Sequence, residues 1–300
     1  MAAGSEARVS VIVCTRDRPS DLDACLQALA RVPGIHDVVV IDSASEPPCE
    51  DVVQRHMGSV EQLSYVRVSQ GGLSIARNAG VAATSGEILA FIDDDALADP
   101  GWASEIRAAL TPPRAGGVGG RCRPLFGGSR PRWLSDRLLC WAGITHFGDR
   151  PRQARSTADY PYGANMAFTR AALEAAGPFD PRRGAGGSGD VAGEDTDICA
   201  RVRTAGYEVW LWPSAIVDHK VHPSRLHRRY YLHRTWWNGA GRARNDATAA
   251  LTLRILTATP VYLALIAVRR DWYYAFRTVE CLSYVTHVVK FTAQRMLPGR

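Results

Sequence analysis

Apolar and polar positions alternate in two rhythms up to Asp95. "VSVIVCT" at 9–15 is a continuous apolar run of mostly β-branched residues, whereas "DLDACLQALARV" at 21–32 repeats its apolar positions at helical spacing through Leu22, Cys25, Leu26 and Leu29. "HDVVVIDSAS" then reads as a second strand closing in polar residues. "LSYVRVS", a helix from about Leu73 to Ala83, and the strand "EILAFIDDD" repeat the scheme. Strand, helix and strand within about forty residues predict parallel pairing through a crossover helix. Strands apolar on both faces belong inside a helix-covered sheet, and ligands of such sheets gather at the carboxyl ends of the strands. Asp17, Asp42 and the run Asp93, Asp94, Asp95 all fall at those ends.

Residues 111–165 are less regular and rich in Pro, Gly and Arg. "ANMAFTRAALEAAG" then predicts a strand feeding a helix that stops at Gly177. A glycine-rich loop at 182–193 leads into "EDTDICARVRTAG", and "YEVWLWPSAIVDH" follows as a strand. From Lys220 to Arg244 the chain has seven Lys or Arg and no acid, with Tyr230, Tyr231, Trp236 and Trp237 interleaved. "ILTATPVYLALIAV" at 255–268 is short for a membrane span and contains Pro260, so a buried or interfacial helix is expected. The expected division is a main domain at 1–222, with halves at about 9–110 and 111–222, and a mainly helical extension at 223–300.

With 300 residues, 46% of them hydrophobic, the chain can bury a large core. Its formal charge of +6 argues for an anionic ligand or surface without choosing among nucleotide, lipid headgroup and nucleic acid. Seven scattered cysteines without a CxxC pair fit buried thiols in a reducing compartment rather than a disulfide framework or zinc knuckle. The N-terminus lacks a basic start with an apolar core and cleavage site, and is read as an uncleaved cytosolic start. "CTRDRPS" has no glycine after the first strand, which excludes the nicotinamide Rossmann turn.

Three adjacent carboxylates ask for a reason. Asp99 suffices as N-cap of the helix in "DPGWASEIRAAL", with Pro100 at its first position. Asp93, Asp94 and Asp95 crowded before it would repel one another unless a cation joined them. A divalent ion suits oxygen ligands, and phosphate oxygens can complete its shell.

These stretches, with "GGLSIARNAGVAATSGEILAFIDDDALADPGW", "YPYGANMAFTRAALEAAGPFD" and "GEDTDICARVRTAGYEVWLWPSAIVDH", resemble family 2 glycosyltransferases of the GT-A fold over about residues 9–222. The resemblance implies an α/β fold, a Rossmann-like, mostly parallel sheet covered by helices, with a helical C-terminal extension. It implies inverting, metal-dependent transfer of a sugar from a nucleoside diphosphate to an acceptor hydroxyl. "QxxRW" is absent, so one sugar is added at a time. On the donor side the resemblance points to Thr15, Arg16, Asp17, Asp42, Arg77, Asp93 and Asp94. Asp95, Asp93 and His219 would hold Mg or Mn. Asp195 matches the base that deprotonates the acceptor, and Glu194 orients it or binds acceptor. Trp133, Trp141 and Tyr162 fall where relatives build the acceptor side. Structural alternatives stand beside several of these: Asp42 as the start of a turn, Arg77 on a solvated helix face, the acids at 194–197 as helix caps, and the aromatics as core.

Donors expected are UDP- or GDP-sugars, with dTDP-sugars as a further candidate. A nucleotide-sugar isomerase or mutase, and a non-catalytic nucleotide-sugar-binding protein, are the alternatives. For the basic extension the options are a solvated face, contact with a lipid-linked acceptor at the inner membrane surface, or a homo-oligomer contact. Nucleic acid is disfavoured because no recognisable binding motif accompanies the charge.

Overall fold

The computed structural model describes residues 6–145, 148–156, 159–186, 193–245 and 247–296. Among these, nine strands join one mixed sheet. Its parallel half consists of β1 (Val9–Thr15), β2 (Ile35–Ser43), β3 (Leu63–Val68) and β4 (Ile88–Asp93), in the spatial order β3-β2-β1-β4. Helices α1 (Pro19–Leu29), α2 (Glu50–His56) and α3 (Leu73–Ala83) lie between these strands in the chain.

The direction reverses beyond β4. Strands β5 (Ala96–Ala98), β6 (Ala115–Phe126), β7 (Arg152–Gln153), β8 (Asn165–Thr169) and β9 (Glu208–Val221) continue the sheet in the order β4-β8-β6-β9-β5, with β7 on β9. β8 runs antiparallel to β4, and β5 antiparallel to β9. Helices α4 (Trp102–Ala109), α5 (Arg170–Ala176) and α6 (Glu194–Thr204) complete this part.

Successive residues of a strand face opposite sides, which explains the continuous apolar runs. Val9, Val11 and Val13 of β1 share one core layer with Leu22, Leu26 and Trp102, while Ile12 joins Ala76 and Phe91 in the other. A strand buried twice over has no polar face to show. One local expectation is corrected: α4 begins at Trp102 behind Gly101, not on Asp99 as N-cap. Asp99 instead makes the preceding turn, its Oδ1 accepting from the Gly101 N–H at 3.1 Å.

The chain forms two compact units. The first contains Met1–Leu125, Gly143–Asp190 and Glu194–Lys220; the second contains Phe126–Ala142, Val191–Gly193 and Val221–Arg300. Phe126–Ala142, expected with the acceptor half, thus clusters with the C-terminal helices α7 (Arg228–Asn245), α8 (Ala249–Arg269) and α9 (Trp272–Met296). Aromatic packing accounts for this. Trp133 meets Tyr231 edge-on at 5.3 Å, and Trp141 stacks on Tyr273 at 6.1 Å with Phe276 against both tryptophans. The apolar stretch around Pro260 is part of a 21-residue helix, α8, that continues through the proline, with Ile255 as its buried residue; of the two expectations for it, the buried helix is corrected, since α8 stays largely exposed. All seven cysteines are free thiols.

Candidate active site

The carboxylates sit where the parallel half meets the antiparallel half. Asp93 is the last residue of β4, in register with Cys14 of β1, and the chain turns through Asp94 and Asp95 into β5. Ala96 of β5 pairs with His219 of β9, which brings the imidazole beside Asp95 with Nε2 3.1 Å from Oδ1. His219 therefore lies within β9. Asp93, Asp95 and His219 each offer a ligand atom within 4.8 Å of the others. His219 Nδ1 is buried without a hydrogen-bond partner. The ring rests against Gly143, where φ is +84° and an added Cβ would lie 2.9 Å from Cε1. Only glycine satisfies both conditions.

The electrostatics bear on what these residues could hold. Burial raises the Asp93 carboxyl above its usual range and neighbouring Asp95 adds to the rise, although Arg77 opposes both. Burial likewise pushes Asp94 up to about 7, with Arg18 countering and Asp95 reinforcing. Two carboxylates and an imidazole, short of positive charge and one nitrogen unpartnered, fit a divalent cation such as Mg or Mn.

Asp94, expected on the donor side, faces inward. Thr15 Oγ1 donates to its Oδ2 at 2.8 Å and Arg18 Nη1 to its Oδ1 at 3.1 Å, leaving it 3% exposed. Arg18 also reaches Asp95 Oδ2 at 3.2 Å. Sequence reasoning missed Arg18, whose only signal was a cation one residue before Pro19. Arg16 remains half exposed beside Gly71, where a Cβ would lie 2.5 Å from its Nη1. Asp17, at φ 57°, accepts from the Glu46 N–H at 2.8 Å. Asp42 has no exposed surface, and its oxygens accept from Ser45 N–H at 2.7 Å, Cys49 N–H at 2.9 Å and Tyr65 Oη at 2.7 Å. It ties the loop after β2, as the turn alternative expected.

Arg77 is 2% exposed rather than solvated. Nη1 donates to Glu194 Oε1 at 2.9 Å and Nη2 lies 3.7 Å from Asp93 Oδ1, so one guanidinium spans both acidic clusters. Gly163 makes room for it, since a Cβ there would lie 2.2 Å from Nη2. Asp195 opens α6 beside Glu194. Its Oδ1 accepts from Thr196 N–H at 2.7 Å and its Oδ2 from Gly163 N–H at 3.2 Å. Tyr162 directly precedes Gly163, and its carbonyl accepts from Asn165 N–H at 3.1 Å. Asp197 pairs with Arg201 one turn on, at 2.9 Å, and stabilises the helix. Trp133 and Trp141 belong to the aromatic packing of the second unit.

Comparison with known proteins bears on the family and the fold. The model of the glycosyl transferase family 2 matches residues 10–177, more than half the chain. The chain is 26% identical over 240 residues to the glucosyl-dolichyl phosphate glucuronosyltransferase of Haloferax volcanii, covering 77% of this chain and 75% of that one. It is 28% identical over 251 residues to the succinoglycan biosynthesis protein ExoM of Rhizobium meliloti, covering 82% and 77%. Among solved structures, a mannosyltransferase from Pyrobaculum calidifontis in complex with GDP-Man and Mn2+ matches at a TM-score of 0.65 and 20% identity, covering 96% of this chain and 87% of that one. At that identity the likeness concerns the GT-A fold.

Proposed function

The chain belongs to glycosyl transferase family 2, and on that premise we propose that this glycosyltransferase moves one sugar at a time from a nucleoside diphosphate to an acceptor hydroxyl, inverting the anomeric carbon. The observation that carries the reading is the Asp93, Asp95 and His219 group, linked through Arg77 to the acidic start of α6. A divalent cation held by those three residues would offset the charge of the departing diphosphate. UDP and GDP are the nucleotides proposed, the latter carried by the Pyrobaculum mannosyltransferase.

Asp195 takes the acceptor proton. The N–H groups of Gly163 and Thr196 fix its carboxylate, so the proton moves to a group already aimed. As the acceptor oxygen bonds to the anomeric carbon, the bond from that carbon to the diphosphate oxygen breaks, and Asp195 receives the hydroxyl hydrogen. Glu194 and Asp93 hold Arg77 between them and fix the spacing of the two acidic clusters. The name of the Haloferax relative includes a dolichyl phosphate, which supports testing lipid-linked acceptors first.

General-base help of this kind is worth roughly a hundredfold to ten-thousandfold. Asp195→Asn is expected to lose that much in kcat while nucleotide diphosphate and Mn2+ still bind as in wild type by titration calorimetry. Loss of nucleotide binding would remove Asp195 from the role. The anomeric configuration of the first product, read by NMR, must be opposite to that of the donor.

A further inference from the structure

We propose that the outer face of α8 docks on an anionic lipid bilayer surface, lying in the interfacial plane. This goes beyond the transfer reaction and does not depend on it. Helices normally turn their apolar stripe inward. In α8 the buried side is already supplied by Ile255 and by Leu251 and Tyr262, which pack with Tyr284 and Cys281 of α9. Yet Leu253 is 62% exposed, Leu256 50%, Val261 55%, Leu263 54% and Val268 76%. At helical spacing these residues, with Pro260, Ala264 and Ala267, fill the arc opposite Ile255, and that arc contains no charged residue. Of the most apolar stretch of α8, 6% is buried.

Charge indicates what covers this face. Residues 221–300 contain thirteen Lys or Arg against three acids, a formal +10, so residues 1–220 carry a formal −4. Arg254 lies beside the apolar arc, and Arg269 and Arg270 close the helix. Cations flanking an apolar face complement phosphate headgroups above acyl chains. A neutral protein partner would explain the apolar arc but not its arginines.

Two features favour lying on the bilayer over crossing it. α8 packs against α9, which brings Arg277 and Glu280 alongside it, Arg277 lying 5.7 Å from the Tyr262 ring, and a charge at mid-bilayer is costly. Pro260, on the outer face, also removes the N–H that would bond the Leu256 carbonyl. At headgroup depth, water can serve that carbonyl.

The test is co-sedimentation of the full chain with phosphatidylcholine vesicles with and without phosphatidylglycerol. Binding is expected on the anionic vesicles, to weaken as salt rises, and to be released by alkaline carbonate. Leu253→Asp and Leu256→Asp should each weaken it at least tenfold with the melting temperature unchanged, since both side chains already face outward. Arg269→Gln with Arg270→Gln tests the charge separately and should lessen the preference for anionic lipid. The proposal falls if the chain does not pellet with either vesicle, if the aspartate variants bind as wild type, or if carbonate fails to release it, which would mean a spanning helix. It falls equally if sedimentation equilibrium shows a dimer that Leu256→Asp dissolves, because a second copy would then cover the face.

Discussion

A carboxylate with no exposed surface must find its partners inside the fold, and Asp42 accepts from two backbone N–H groups and the Tyr65 hydroxyl. Burial would raise its pKa, but these donors outweigh burial and hold it below the ordinary range. A depressed pKa means that the stabilisation is complete above the unfolded value of about 4 and fades as pH falls through the folded one. Asp42→Asn replaces one acceptor by a donor facing other donors. It should cost ~1–3 kcal/mol in urea unfolding at pH 7, with the gap to wild type narrowing towards pH 3. The sequence could mark Asp42 as the end of a strand but not show which way its oxygens turn. Asp93, Asp95 and His219 were readable as ligand types, and the fold brings them together. Arg18, Gly143 and Gly163 were not, because each acts through a residue dozens of positions away: Asp94, His219 and Arg77.

Helix α3 works as a rail for the segment leading to α6. Asn78 Nδ2 donates to the Phe179 carbonyl at 2.8 Å and its Oδ1 accepts from the Phe179 N–H at 2.9 Å, while Ser74 Oγ donates to the Arg183 carbonyl at 2.9 Å. Phe179 in turn meets Phe91 of β4 edge-on at 5.4 Å. Asn78→Ala leaves two backbone groups without their partner and is expected to destabilise the protein by ~1–3 kcal/mol, read as a lower urea midpoint at unchanged slope. The elements around this rail were legible because parallel strands buried on both faces write themselves as apolar runs. Three others were not. α2 has seven residues, too few for a period to emerge, and β5 has three. β6 begins "AGGVGG", whose glycines lack apolar side chains yet admit Tyr207 and Phe168 closely.

Two cores in one chain lead to an expectation for the whole molecule. Calorimetry should resolve two unfolding transitions, because Asp93, Asp95 and His219 all lie in the first unit and α8 in the second. Mn2+ at a hundred times its dissociation constant should stabilise the first by about 2.7 kcal/mol and leave the other in place. EDTA should reverse the shift. A border was legible at 222/223 from the change to basic, aromatic composition, two residues beyond the division between Lys220 and Val221. The membership of Phe126–Ala142 was not, since nothing local records that Trp133 and Trp141 pack with residues a hundred positions later. Arg77 then has a consequence for the reaction as a whole. One guanidinium answers to two carboxylates, so a cation at Asp93 would free some of it for Glu194, and a ligand at Glu194 would change the field at Asp93. A ligand of Glu194 and a cation at Asp93 would then be thermodynamically linked, and any factor by which the cation raised acceptor affinity would be returned by the acceptor to the cation.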